Sequence, residues 1–157
     1  MSQPPVLMTC REIQEALFRA YDTAGSIICF NSTKVLCHEA DVLVLRKSGV
    51  TIEVEVKVSR SDFMADFRKV EKHKQMQRGY KHGPQYFYYA AEPHVIPLDK
   101  VPAYAGLLHV FPAPQTRHIS ETRVVVAKKA PRLHKEQNEG IHERICRTLM
   151  YKAWQQF

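Results

Sequence analysis

The sequence predicts an α/β fold, a mixed β-sheet flanked by α-helices, built as a single domain over residues 1–157 with a C-terminal helix. Three observations carry this. A helix-period stretch at the start is followed by alternating, β-branched segments through the middle, and helix periodicity returns at the end. The strand-rich middle excludes an all-helical bundle. A length of 157 residues suits one domain with a proper core.

The elements follow in order. Residues 1–8 read as an arm, and Thr9 to Asp22 reads as a helix. Thr9 and Glu12 have capping-box spacing, Met8 and Ile13 can form a hydrophobic staple, and Ile13, Ala16, Leu17 and Ala20 make one apolar stripe. SIICF (26–30) is a first strand. ADVLVLRK (40–47) and VTIEVEVKV (50–58) form a hairpin about Ser48-Gly49. A helical stretch runs from Ser61, its expected cap, to about Arg78, with Phe63, Phe67 and Val70 as its apolar stripe; Gly79 and Gly83-Pro84 end it. QYFYYAAE (85–92) is an aromatic-rich strand, and alternation assigns Phe87 and Tyr89 to the core. Pro93 to Pro102 is a loop, followed by strands GLLHVF (106–111) and TRVVVAKK (122–129). After Pro131 the chain reads as helical to its end, with Ile141, Ile145 and Leu149 at spacing four and Trp154 packing the helix.

Composition narrows the function. Apolar residues make up 45% and charged residues 25%, an ordinary globular balance. No apolar run approaches the ~18 residues of a membrane-spanning helix. The start, MSQPPVLMTCRE, lacks the basic and apolar regions of a secretory signal, so the expected compartment is cytoplasmic. Cys10, Cys29, Cys37 and Cys146 are scattered without a CxxC pair, which disfavours a zinc knuckle. The net charge is +7, and Lys57 to His82 holds eight Lys or Arg against three acids. Such a basic concentration suits a polyanion, usually nucleic acid; the plainer alternative is a solvated helix face.

The chemistry concentrates in IEVEVKV (52–58). On a strand, Glu53, Glu55 and Lys57 share one face, and Ile52, Val54, Val56 and Val58 share the other. Charges on one strand face are commonly just solvated. Asp41, however, opens a strand that is otherwise apolar, and a carboxylate there needs a partner. If the two strands pair across Ser48-Gly49, Asp41 and Glu55 come within reach of one ion. Two carboxylates and the main-chain carbonyl of Val56 suit Mg²⁺ or Mn²⁺. Lys57 would orient a metal-activated water or neutralise charge on phosphate oxygens.

Asp41 followed by Glu55-Val56-Lys57 resembles the PD-(D/E)xK nuclease signature, with Glu39 or Ala40 at the proline position. The segments EADVLVLRKSG, EVEVKVSRSDFMADFRKVEKH, YFYYAAEP and VPAYAGLLHV, within about residues 38–111, resemble MmcB-like DNA-repair proteins and related phage proteins. In KVSRSDF, followed by a second acid at Asp66, the resemblance is more specific than ExK alone. It implies a restriction-endonuclease-like core, a metal-dependent deoxyribonuclease acting in DNA repair or phage DNA metabolism, and Asp41, Glu55 and Lys57 as the catalytic set. Not every protein of this superfamily cuts DNA. A further acid is often contributed by the first helix; Glu12 is the candidate here, its alternative role being the capping box. Glu39 is another possible ligand. Ser59, Arg60, Arg68, Lys69, Lys72 and His73 are candidate contacts to the DNA backbone. A QxxxY motif is absent, since Gly79 and Lys81 stand where the tyrosine would be. The competing functions are a non-catalytic nucleic-acid-binding module and a factor that binds a protein partner. A homodimer would let one site per chain cut both strands.

Overall fold

The computed structural model describes residues 7–33, 35–113 and 122–157; residues 1–6 of the expected arm lie outside them. A six-stranded mixed sheet runs in the order β1 (Ile27–Ser32), β2 (Ala40–Leu45), β3 (Thr51–Val56), β4 (Tyr86–Ala91), β5 (Gly106–Phe111) and β6 (Arg123–Lys128). Only β3, β4 and β5 are mutually parallel; the other neighbours pair antiparallel. The expected strands are all present; β2, β3, β4 and β6 are shorter than expected, β5 has the expected bounds, and β1 runs on to Ser32.

Alternation along the strands divides the core between two faces. One face carries Val42, Val44, Val54, Val56, Ala90 and Leu108, and the stripe Ile13, Ala16 and Leu17 of α1 (Cys10–Tyr21) covers it. The capping box at the start of α1 is formed, with Thr9 and Glu12 bonding reciprocally. The opposite face carries Leu43 and Leu45 beneath the C-terminal helix, and Phe87, Tyr89, Ala91 and Leu107 beneath Phe63 and Met76. The sheet is therefore sandwiched between helical layers. No helix among the described residues is long and apolar enough to cross a membrane.

Four expectations are corrected. The single helix from Ser61 to Arg78 is two: α2 (Arg60–Asp66) and α3 (Val70–Arg78), broken where Lys69 leaves helical geometry at ψ 63°. Its cap is Ser59, not Ser61: the Asp62 amide donates to Ser59 Oγ at 3.1 Å, and the Val58 amide donates to the Asp62 carboxylate at 3.2 Å. The last helix, α4 (Ile141–Trp154), starts ten residues after Pro131. The intervening chain is held extended against the sheet end, where the Leu133 amide donates to the Gln85 carbonyl at 2.8 Å and Gln85 Nε2 donates to the Glu136 carbonyl at 2.8 Å. Ile141 and Ile145 of α4 are buried, but Trp154 is 73% exposed and packs no core.

Candidate active site

The register of β2 against β3 pairs Val42 with Val54 and Leu43 with Glu53. One step further along this antiparallel ladder sets Asp41 across from Glu55, with both side chains on the same face. The Val56 amide donates to Asp41 Oδ2 at 2.8 Å, which ties the first carboxylate to the strand bearing the second. Burial, and then the Glu55 charge, push the Asp41 carboxyl up to about 6. Because β2 and β3 are antiparallel, this end of the sheet collects the carboxyl end of β3 and the beginning of β2, and the start of α2 follows directly from β3. Cys10 at the head of α1 is also near: burial first, then Asp41, Asp62 and Glu55, raise its thiol pKa.

Glu53, Glu55 and Lys57 share a face, as alternation requires, but that face is buried rather than solvated. All three are at most 5% exposed. Glu55 is surrounded by ammonium groups: Lys57 Nζ at 3.2 Å and Lys69 Nζ at 3.3 Å from Oε1, and Lys72 Nζ at 3.0 Å from Oε2. Burial alone would raise its pKa, but Lys72 and Lys57 outweigh burial and hold the carboxyl below its usual range.

Asp66, at the end of α2, is the second hub. Its Oδ1 lies 3.2 Å from Lys57 Nζ and 3.4 Å from Lys69 Nζ. Its Oδ2 accepts from the Tyr89 hydroxyl at 2.8 Å and lies 3.1 Å from His73 Nε2. Against the cost of burial, His73, Lys72, Lys57 and Tyr89 hold Asp66 well below the ordinary carboxylate range. Burial and the Asp66 charge in turn drive the Tyr89 hydroxyl far upward. His73 bonds Tyr104 through its other ring nitrogen and stacks on Phe67, with centroids 4.9 Å apart.

Behind this hub, Lys72 Nζ stands 3.5 Å from Glu53 Oε1. Neither Glu53 oxygen accepts a hydrogen bond among the described residues, and burial pushes this carboxyl up to about 8 despite Lys72. The two partners respond differently because Lys72 faces Glu55 and Asp66 as well as Glu53; the charge of Glu53 first, then of Glu55 and Asp66, overcomes its own burial and raises its pKa above that of an ordinary lysine.

Asp41, Glu55, Val56 and Lys57 are thus brought together. The other candidates divide. Arg60 begins α2 and is exposed, while Ser59 Oγ is committed to capping that helix. Arg68 and Lys69 occupy the exposed turn between α2 and α3. Lys72 does not lie on a solvated basic face; it is 3% exposed because the Glu53 and Glu55 carboxylates draw it inward. His73 also turns inward, to Asp66 and Tyr104. Glu12 is no ligand candidate: it is exposed, and its carboxylate accepts from the Thr9 amide at 2.7 Å and hydroxyl at 2.8 Å. Glu39 precedes β2, is exposed, and lines a cleft of 490 Å³ with His38, Arg68, Lys69 and Lys72. Sequence reasoning gave Asp66 no role in the site and left out Tyr89 and Tyr104. The spacing of Asp66, Lys69 and His73 at three and seven residues was a usable signal, though it crosses the helix break.

Among the described residues, no group of three or more His, Cys, Asp or Glu side chains is arranged to hold a metal ion. The candidate donor set is smaller: the Asp41 and Glu55 carboxylates and the Val56 carbonyl. Hard oxygen donors of this kind fit Mg²⁺ or Mn²⁺, which retain several waters. Burial first, and then repulsion from Glu55, raise Asp41, and a cation between the two acids would relieve the second of these.

No family model and no curated protein matches the chain. Among solved structures it is similar to a protein of unknown function from Silicibacter pomeroyi, at 18% identity and TM-score 0.60, covering 92% of this chain and 85% of that one. The likeness extends over most of both chains and shows a common fold.

Proposed function

We propose that this protein is a metal-dependent deoxyribonuclease of the PD-(D/E)xK type, with its sheet forming a restriction-endonuclease-like core. One observation carries the reading. Asp41 is fastened to the Val56 amide across from Glu55, and the Lys57 ammonium rests on Glu55. Acid, acid and lysine converge at one end of a β-hairpin, next to a basic turn. Asp41, Glu55 and the Val56 carbonyl would hold Mg²⁺ or Mn²⁺, which when bound polarises a phosphodiester and acidifies a coordinated water. Lys57 places its side-chain nitrogen beside that position, 3.2 Å from Glu55 Oε1, and Arg60, Arg68 and Lys69 supply an exposed basic approach for the DNA backbone. A role in DNA repair or phage DNA metabolism rests on the sequence resemblance.

A second reading is a nucleic-acid-binding module without catalysis. It is favoured by one feature: three ammonium groups already neutralise Glu55. Incubation with supercoiled, linear and single-stranded DNA in Mg²⁺, Mn²⁺ or EDTA, beside a Glu55→Ala/Lys57→Ala variant, separates the two. Metal-dependent cutting that the variant lacks is expected. Salt-sensitive binding with no cutting under either metal would overturn the nuclease and leave the module.

A further inference from the structure

Lys57 and Lys69 make the same two contacts. Each ammonium lies 3.2–3.4 Å from both Glu55 Oε1 and Asp66 Oδ1. Their settings differ sharply. The Lys57 side chain is 6% exposed, whereas that of Lys69 is 55% exposed. A buried carboxylate stripped of its only cation is costly, but here Lys57, with Lys72 also on Glu55, remains if Lys69 departs. Lys69 is therefore the dispensable member of the pair, held at the carboxylates by contacts that another cation duplicates.

Lys69 also lines the 490 Å³ cleft between residues 38–39 and the turn joining α2 to α3. Arg68 lines the same cleft and is exposed. The acids facing it are Glu39 and Glu71, and Glu71 is offset by Lys74 at 3.5 Å. His38 lines it too, with its ring bonded to Gln75 at 2.5 Å.

The geometry points to this cleft as a subsite for a backbone phosphate of the nucleic acid, with Lys69 swinging from Glu55 and Asp66 to meet it and Arg68 as the second cation. A divalent ion held by Glu55 would favour the same movement, because like charges repel. The inference rests on the nuclease reading for its substrate, but it requires no cleavage.

The test is fluorescence anisotropy of a labelled single-stranded oligonucleotide across a salt series in EDTA, with cleavage measured separately. Lys69→Gln is expected to weaken binding about fivefold and to lower the salt slope by about 1. Its melting temperature should stay within about 2 °C of wild type, since Lys57 and Lys72 remain on the two buried carboxylates when the half-exposed Lys69 is replaced. Arg68→Ala, an exposed change with no bearing on folding, should weaken binding to a similar degree. Unaltered affinity and salt slope in both variants would overturn the subsite even if the wild type cuts DNA. Binding that depends on Lys69 in a protein that never cuts would keep the subsite and overturn the nuclease. A wild type that neither binds nor cuts would overturn both.

Discussion

The carboxylate of Asp41 accepts a hydrogen bond from the Val56 amide at 2.8 Å, so the first candidate metal ligand is pinned to the main chain next to the second. The position is held at a cost in charge. Burial and Glu55 raise the Asp41 carboxyl from 3.8 to about 6, so in that window the folded protein keeps a proton that the unfolded chain has released. The contribution of this group is fully present below its unfolded pKa and is lost as pH rises through its folded pKa. In EDTA, Asp41→Asn should match wild type at the acid end of that window and exceed it above the window by roughly 1–3 kcal/mol. Mg²⁺ should then raise the wild-type melting temperature and leave the variant unchanged. Thermal melts across pH, with and without Mg²⁺, decide it; an Asn variant less stable at neutral pH would refute the charge argument.

Glu53 and Lys72 make an asymmetric buried pair. Glu53 is fully buried, accepts no hydrogen bond among the described residues, and is pushed up to about 8. Replacing it with a neutral isostere gives up little, so Glu53→Gln should change stability by less than about 1 kcal/mol. Lys72→Ala removes a cation from Glu53 and Glu55 together and should cost about 3–5 kcal/mol. Urea denaturation of both variants at neutral pH tests the asymmetry. Equal losses would mean that Glu53 is a true ion-pair partner.

Those two residues also mark where the sequence stopped being readable. The strands were legible because β-branched alternation and Gly or Pro boundaries are local signals, and the paired acids and Lys57 were legible because side chains two apart on a strand share a face. Lys72 read as a DNA-backbone contact on an exposed basic face because nothing in RKVEKHKQ marks the inward-facing position. The break at Phe67 to Lys69 has neither Gly nor Pro; it sets α3 so that the buried Lys72 reaches Glu53 and Glu55, a tertiary contact that local helix propensity does not reveal. Likewise, the stretch after Pro131 has helical composition, but the Gln85 carbonyl and side-chain amide claim its hydrogen bonds. Thr9 and Glu12 were read correctly as a cap because both bonds lie within one helical turn.

Asp66 organises the lysines, and Tyr89 and His73 fasten Asp66. Asp66→Asn loses the charge facing Lys57 and Lys69; under the proposed nuclease function it is expected to lower the cleavage rate at saturating DNA by about tenfold to a hundredfold, with KM little changed, as for interactions made in the transition state. Tyr89→Phe deletes one hydroxyl from Oδ2 and leaves the ring packing on Phe63 and Phe87 intact. Its cost should be about 1–2 kcal/mol of stability, typical of a hydrogen bond to a charged acceptor, with a smaller loss of rate than in Asp66→Asn. Steady-state kinetics with melting controls measure both. A KM that rises while kcat holds would place Asp66 in DNA binding instead.

Gly79 closes α3 in the left-handed region at φ +64°, where its amide caps the helix by donating to the Met76 carbonyl at 3.1 Å. A Cβ at this position would run into the main-chain carbonyl oxygen of Leu133. Two penalties therefore combine: the left-handed conformation costs a residue with a side chain about 1–2 kcal/mol, and the collision with a backbone atom adds about 1–3 kcal/mol of overpacking. Neither can be relieved by a rotamer change, because the obstructing atom belongs to the segment that pairs with Gln85. Gly79→Ala should accordingly lose about 2–5 kcal/mol in urea denaturation. The loss should reach the site as well, since α3 carries Lys72 and His73. A variant as stable as wild type would show that the 131–140 segment yields easily, and would remove that segment as a brace for α3.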